Sequence, residues 1–298
     1  MKKLLTKGFV LFLTIALLGG VLAGCGGSSK DSGASKQNEK GTVNLAYVNW
    51  AEGVAMTNLA KVVLEEKMGY DVKLTMADAA PVFTSLASGD QDVFLDAWLP
   101  ITHESYMEEY DDDLEDLGYN FEGAKIGLVV PSYMKINSIE DLNDNAKQLD
   151  GQIIGIDSGA GIMKKTEEAV DTYNLNLDLI AGSGPAMTAG LSAAIEDKEP
   201  IVVTGWTPHW KFARWDLKFL EDPKGVYGKA ENIHTIARKG FSEDMPEVAE
   251  FLKNFYLDNQ QLGDLMGAIS DSKEDPDVVA KAWMEKNEDL IQSWIPEK

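Results

Sequence analysis

The chain reads as an α/β protein built from two related βαβ domains joined by two crossings, and three observations predict it. Apolar strand-like runs alternate with helix-spaced stretches through most of its length. A pattern occurs twice: Pro81-Val-Phe-Thr leads to Trp98-Leu-Pro, and Pro185-Ala-Met-Thr leads to Trp206-Thr-Pro. Two strongly apolar segments, 124–131 and 232–239, are suited to carry the chain into a second domain and back.

Residues 42–49 (TVNLAYVN) alternate as a strand that stops at Trp50. Val54, Leu59, Val62 and Val63 recur at helical spacing over 53–68, and Gly69 closes that helix. Residues 71–76 form a second strand. Asp78 is a fair N-cap for a helix with the stripe Val82, Phe83, Leu86 and Ala87. After the turn Ser88-Gly89-Asp90, a third strand over 92–95 leads into Trp98, and 103–110 is helical. The second half follows the same plan. Strand 152–156 precedes a helix to about Tyr173, strand 177–181 precedes a helix opened at Gly184-Pro185, and strand 200–204 runs into Trp206. Three amphipathic stretches, 245–259, 262–270 and 276–294, close the chain and are assigned to the first domain. The expected limits are 42–126 plus 236–298 for lobe 1 and 127–235 for lobe 2.

The N-terminus reads as an export signal over 1–24. Lys2, Lys3 and Lys7 form a basic region, and the apolar run over 9–23 is short for a membrane span. It ends in Leu22-Ala23-Gly24-Cys25, with the one cysteine of the chain where bacterial lipoproteins carry their acylated cysteine. The expectation is cleavage before Cys25, lipidation of Cys25, and a Gly/Ser/Lys-rich tether over 25–41. That places the protein on the extracytoplasmic face of a cell membrane, in the manner of Gram-positive lipoproteins.

Asp and Glu number 49 against 27 Lys and Arg, a net charge of −22, which argues against a nucleic-acid partner or a polybasic membrane contact. Catalytic signatures are missing too. Ser158 and Ser183 lack the first glycine of a nucleophile elbow, and the single cysteine belongs to the leader. The stretch Asp141-Leu-Asn143-Asp-Asn145 starts like a calcium loop, but Ala146 and Gln152 stand where a glycine and a glutamate are needed. Gly159-x-Gly161 and Gly182-x-Gly184 lack the third glycine of a dinucleotide fingerprint, and no P-loop occurs. Neither enzyme, metal site nor cofactor is expected. An adhesin or structural lipoprotein remains an alternative.

The two Trp-x-Pro corners carry the positive reading. Proline lacks a ladder donor and biases its predecessor, so each strand must end there and leave its indole at a strand terminus, where α/β clefts collect ligands. Trp50 also follows a strand. Three facing indoles suit a cation too bulky to hydrogen-bond, a quaternary ammonium. Each desolvated contact contributes up to about 2 kcal/mol. Three give roughly 6 kcal/mol before ordering losses, whereas micromolar affinity needs about 8 kcal/mol net, so a second anchor is required. Gly159-Ala160-Gly161-Ile162, between a strand and a helix, offers free N–H groups for an anion, and His103 can donate to a carboxylate. His209 and His234 have no such placement and are read as structural. The ligand that fits is a zwitterion with a quaternary ammonium and a carboxylate.

Together, YVNWAEG, DAWLPITH, DSGAGIM and TGWTPHW resemble the glycine-betaine-binding proteins of ABC osmoprotectant importers, of the OpuA/ProX type. The resemblance covers residues 42–298 and the leader. It implies a two-lobed class II periplasmic-binding-protein fold and a role in osmoprotection. It also implies a prism of Trp50, Trp98 and Trp206 around the ammonium group, and Gly161, Ile162 and His103 at the carboxylate. A membrane permease with a cytoplasmic ATPase is the implied partner. Proline betaine, carnitine, choline and dimethylsulfoniopropionate are alternative ligands of the same fold.

Overall fold

A computed structural model describes residues 40–297; the expected signal sequence, Cys25 and all but the end of the tether lie outside the described residues. The first lobe opens with β1 (Thr42–Tyr47), α1 (Ala51–Val63), β2 (Asp71–Met76), α2 (Ala79–Ala87), β3 (Val93–Leu99) and α3 (Glu104–Glu109). The long β4 (Leu114–Pro131) leads to α4 (Leu142–Asn145), β5 (Gln152–Ile154), α5 (Gly161–Tyr173), β6 (Asp178–Ile180), α6 (Gly184–Asp197), β7 (Val203–Thr207), α7 (Lys211–Arg214) and β8 (Leu217–Phe219). The chain returns through β9 (Glu231–Arg238) and ends in α8 (Phe241–Asp244), α9 (Pro246–Asn254), α10 (Asn259–Asp271), α11 (Pro276–Lys286) and α12 (Glu288–Trp294).

The strands follow the order β2-β1-β3-β9-β4-β7-β5-β6, with β8 also on β4. β4 holds the two lobes together. Its first part, Leu114 to Ala124, pairs antiparallel with β9, and its second part, from Lys125, pairs antiparallel with β7. β1 lies parallel to β2 and β3, and β5 lies parallel to β6 and β7, so each lobe carries its own parallel βαβ core. This is the repeated plan read from the two Trp-Pro corners. The strand over 124–131 is longer than its apolar run, because Gly118 and Gly123 take positive φ where the β4–β9 register shifts. Only glycine enters that region without strain, so polar, glycine-broken sequence still forms strand. β9 already pairs within the first sheet from Glu231 onward.

The interior is one continuous apolar cluster. Phe83, Phe94, Phe241, Phe251 and Phe255 are among its largest fully buried members. The C-terminal helices close the first lobe, with α10 and α11 against α1 and α9 against β4. Trp294 packs against Phe255 with tilted rings, centroids 4.6 Å apart, and is a core anchor.

Candidate functional site

The Trp-x-Pro corners fold alike. β3 ends at Leu99 and β7 at Thr207, and both following peptide bonds, Leu99–Pro100 and Thr207–Pro208, are cis. Trp50 occupies the N-cap position of α1, just past the end of β1. Trp50, Trp98 and Trp206 are each at most 5% exposed, and all three wall one cavity of about 260 Å³. Glu52, Thr102, His103, Ile126, Ile156, Ala160, Gly161 and Ile162 complete its lining. The sequence-predicted residues from both halves of the chain therefore meet in one place.

Each indole N–H donates to a buried carboxylate. Trp50 Nε1 reaches Asp157 Oδ1 at 3.0 Å, Trp98 Nε1 reaches Asp96 Oδ1 at 2.8 Å, and Trp206 Nε1 reaches Glu52 Oε2 at 2.8 Å. These bonds fix the ring planes and leave the π faces free to meet a cation. Burial pushes the carboxyls of Glu52, Asp96 and Asp157 upward, Glu52 to about 7. For Asp96 the neighbouring Glu52 adds to the effect. The first turn of α1 approaches Asp96 closely: a Cβ on Gly53 would stand 2.5 Å from Asp96 Oδ2, so only glycine fits.

In the same wall, His103 is fully buried and its Nδ1 accepts the backbone N–H of Trp98 at 2.9 Å. The neutral ring must then carry its proton on Nε2, which has no partner among the described residues. Burial, and next the Lys164 ammonium, push His103 down to about 3, so it stays a neutral donor. The ring stacks on Trp50 with centroids 5.7 Å apart. Gly161 and Ile162 begin α5, where N–H groups precede any intrahelical acceptor; Met163 N–H is the first to bond back, to Ala160. Gly161 is pressed against the other lobe. A Cβ there would lie 2.5 Å from Thr102 Cγ2 and nearer still to the Thr102 carbonyl oxygen. Thr102 is itself held, since Glu231 accepts from its N–H at 3.0 Å and from its hydroxyl.

Several bonds cross between the lobes: Trp50 to Asp157, Trp206 to Glu52, Tyr106 Oη to the Gly159 carbonyl at 2.8 Å, and Lys164 Nζ to Ser105 Oγ at 2.9 Å. The cleft is closed over the cavity. His209 and His234 line no part of it. His209 packs edge-on to Trp206 and His234 pairs with Asp116 at 2.9 Å.

Sequence reasoning missed Glu52, Asp96 and Asp157, although each stands in a motif that carried the resemblance. Asp96 offered a usable signal: it is the one carboxylate in the buried strand Val93–Leu99, where an unpaired charge is not tolerated.

Fold and site together define the class: a two-lobed protein of the solute-binding kind, with a small cavity between its lobes. The chain matches, over residues 41–286, the family described as the substrate binding domain of ABC-type glycine betaine transport systems, and it belongs to that family. This is a family of transporter solute-binding components, not of enzymes. A glycine betaine/carnitine transport binding protein of Listeria monocytogenes is 48% identical over 154 residues, 51% of this chain and 51% of that protein. The lactococcal OpuAC structure in its closed-liganded conformation with glycine betaine is 39% identical, covers 86% of this chain and 99% of its own, and superposes with a TM-score of 0.81. An ABC-transporter choline-binding protein in complex with choline is 31% identical, with a TM-score of 0.80 over 85% of this chain and 91% of its own.

Proposed function

We propose that this chain captures glycine betaine between its lobes, outside the cytoplasm, and delivers it to a membrane permease driven by a cytoplasmic ATPase. The observation that carries the reading is the make-up of one cavity wall: three indoles and Glu52, together with the helix-start N–H groups of Gly161 and Ile162 and the partnerless Nε2 of His103. Trp50, Trp98 and Trp206 hold the trimethylammonium group; Gly161 N–H, Ile162 N–H and His103 Nε2 hold the carboxylate. Trp50, Trp98 and His103 come from one lobe and Gly161, Ile162 and Trp206 from the other, so a bound zwitterion bridges the two and favours closure. The changes in strand pairing at Ala124/Lys125 and at Glu231 support a first lobe of 42–124 plus 231–297, with the second lobe between. Cys25 supplies a lipid anchor, in keeping with the basic, apolar leader before it.

A second reading, a cation without a carboxylate such as choline, is favoured by Glu52 in the cavity wall. Calorimetry with both compounds separates the two. Choline leaves the donor end unpaired, and an unsatisfied buried donor costs about 1–3 kcal/mol. Glycine betaine is expected to bind at least about tenfold more tightly than choline. Equal affinities would remove the carboxylate assignment.

A further inference from the structure

Lys211 stands five residues after Trp206, as His103 stands five residues after Trp98. The repeat thus places a basic side chain in the same register behind each Trp-cis-Pro corner. Both are completely buried, and both have one nitrogen, His103 Nε2 and Lys211 Nζ, without a partner among the described residues. His103 lines the cavity; Lys211 does not. Its ammonium lies 4.0 Å over the centroid of the Trp206 ring, behind the cage wall. A second cation is therefore built against the same indole whose N–H donates to Glu52.

We propose that Lys211 is a specificity-determining residue: its buried charge, set behind Trp206 and balanced by Glu52, makes the cage select zwitterions against bare organic cations. This rests on the betaine reading of the site. A cation in the cage is repelled by the Lys211 ammonium at close range in a low-dielectric interior. For a betaine the carboxylate, farther along the same molecule, returns part of that energy; choline has nothing to offset it.

The charges nearby support the assignment. Burial pushes Lys211 down to about 7, opposed by Glu52, and pushes Glu52 up to about 7. Acid leaves the pair as ammonium and carboxylic acid, net +1; mid-range pH leaves it neutral; base leaves it as amine and carboxylate, net −1. A caged cation favours the last state, so its binding releases protons and tightens as pH rises through neutrality. The other groups around the pair do not reverse this sign. Asp96 is raised by burial and by Glu52, His209 is driven well below its usual range by burial and by Lys211, and His103 stays neutral. Asp157 answers to Trp50.

The test is calorimetry of the wild type and Lys211→Met with glycine betaine and with choline, at pH 6 and pH 9. Neither probe titrates in that range. The wild-type choline affinity should fall relative to that for betaine as the pH drops from 9 to 6. Lys211→Met should tighten choline at pH 6 by on the order of tenfold, tighten betaine less, and match the wild type at pH 9. A choline-to-betaine ratio that is the same for both proteins at both pH values overturns the proposal. So does a uniform weakening in the variant, which a packing role would give. If Lys211→Met does not fold, the wild-type ratio decides: one that is flat from pH 6 to 9 overturns it. Failure of the betaine reading itself would look different, as no glycine betaine binding by the wild type at any pH.

Discussion

Gly161→Ala is expected to weaken glycine betaine binding by up to roughly a hundredfold while leaving the melting temperature of the ligand-free protein unchanged. Gly161 does not adopt a positive φ, so alanine fits its backbone. The obstacle is across the cleft. The new Cβ would meet Thr102 at 2.5 Å from Cγ2 and closer to its carbonyl oxygen. Thr102 cannot move aside easily, because Glu231 holds its N–H and hydroxyl and the next residue, His103, is tied through its N–H to the Trp98 carbonyl at 2.9 Å. Overpacking of this kind costs about 1–3 kcal/mol, and each 1.4 kcal/mol is tenfold in affinity. The clash exists only with the lobes together, so it falls on closure and not on folding. Calorimetry alongside a thermal melt separates the two. Wild-type affinity in Gly161→Ala would mean that the Gly161–Thr102 contact is not needed for binding.

Trp98→Ala should lose at least about 2 kcal/mol of binding, roughly thirtyfold, as one of three π faces disappears. It will also lower the melting temperature. Trp98 pairs with Ile233 in the β3–β9 ladder, and its indole is the donor to Asp96 Oδ1, while Asp96 Oδ2 already lacks a partner. Trp98→Phe divides the effects, since it keeps an aromatic face and loses the N–H. It should retain most of the affinity that alanine loses, with a smaller loss of stability, because the ring still fills most of the buried volume. Alanine at 98 binding glycine betaine as the wild type does would remove Trp98 from the cage.

Much of this arrangement was legible in the sequence for identifiable reasons. Proline two residues after a tryptophan stops a strand wherever it occurs, so the corners at Trp98 and Trp206 could be placed without coordinates. The turn Gly159-Ala160-Gly161-Ile162 announced a helix start by composition alone. What escaped was longer in range. Glu52 belongs to α1 of one lobe but accepts from Trp206 of the other, a pairing across 154 positions that no local pattern encodes. The repeat also concealed an asymmetry. Asp96 two residues before Trp98 takes that indole's N–H, whereas Thr204 two residues before Trp206 does not, and its hydroxyl is left without a partner among the described residues. Lys211 hides its burial, because lysine is seldom fully buried and nothing local marks the exception.

The orientation of the ligand between the lobes is tested most directly by a crystal structure of the protein with glycine betaine. The trimethylammonium nitrogen should lie within about 6 Å of the ring centroids of Trp50, Trp98 and Trp206. The carboxylate oxygens should lie about 3 Å from the backbone nitrogens of Gly161 and Ile162 and from His103 Nε2. A ligand turned the other way, with its carboxylate against Glu52, or one seated outside this cavity, would contradict it.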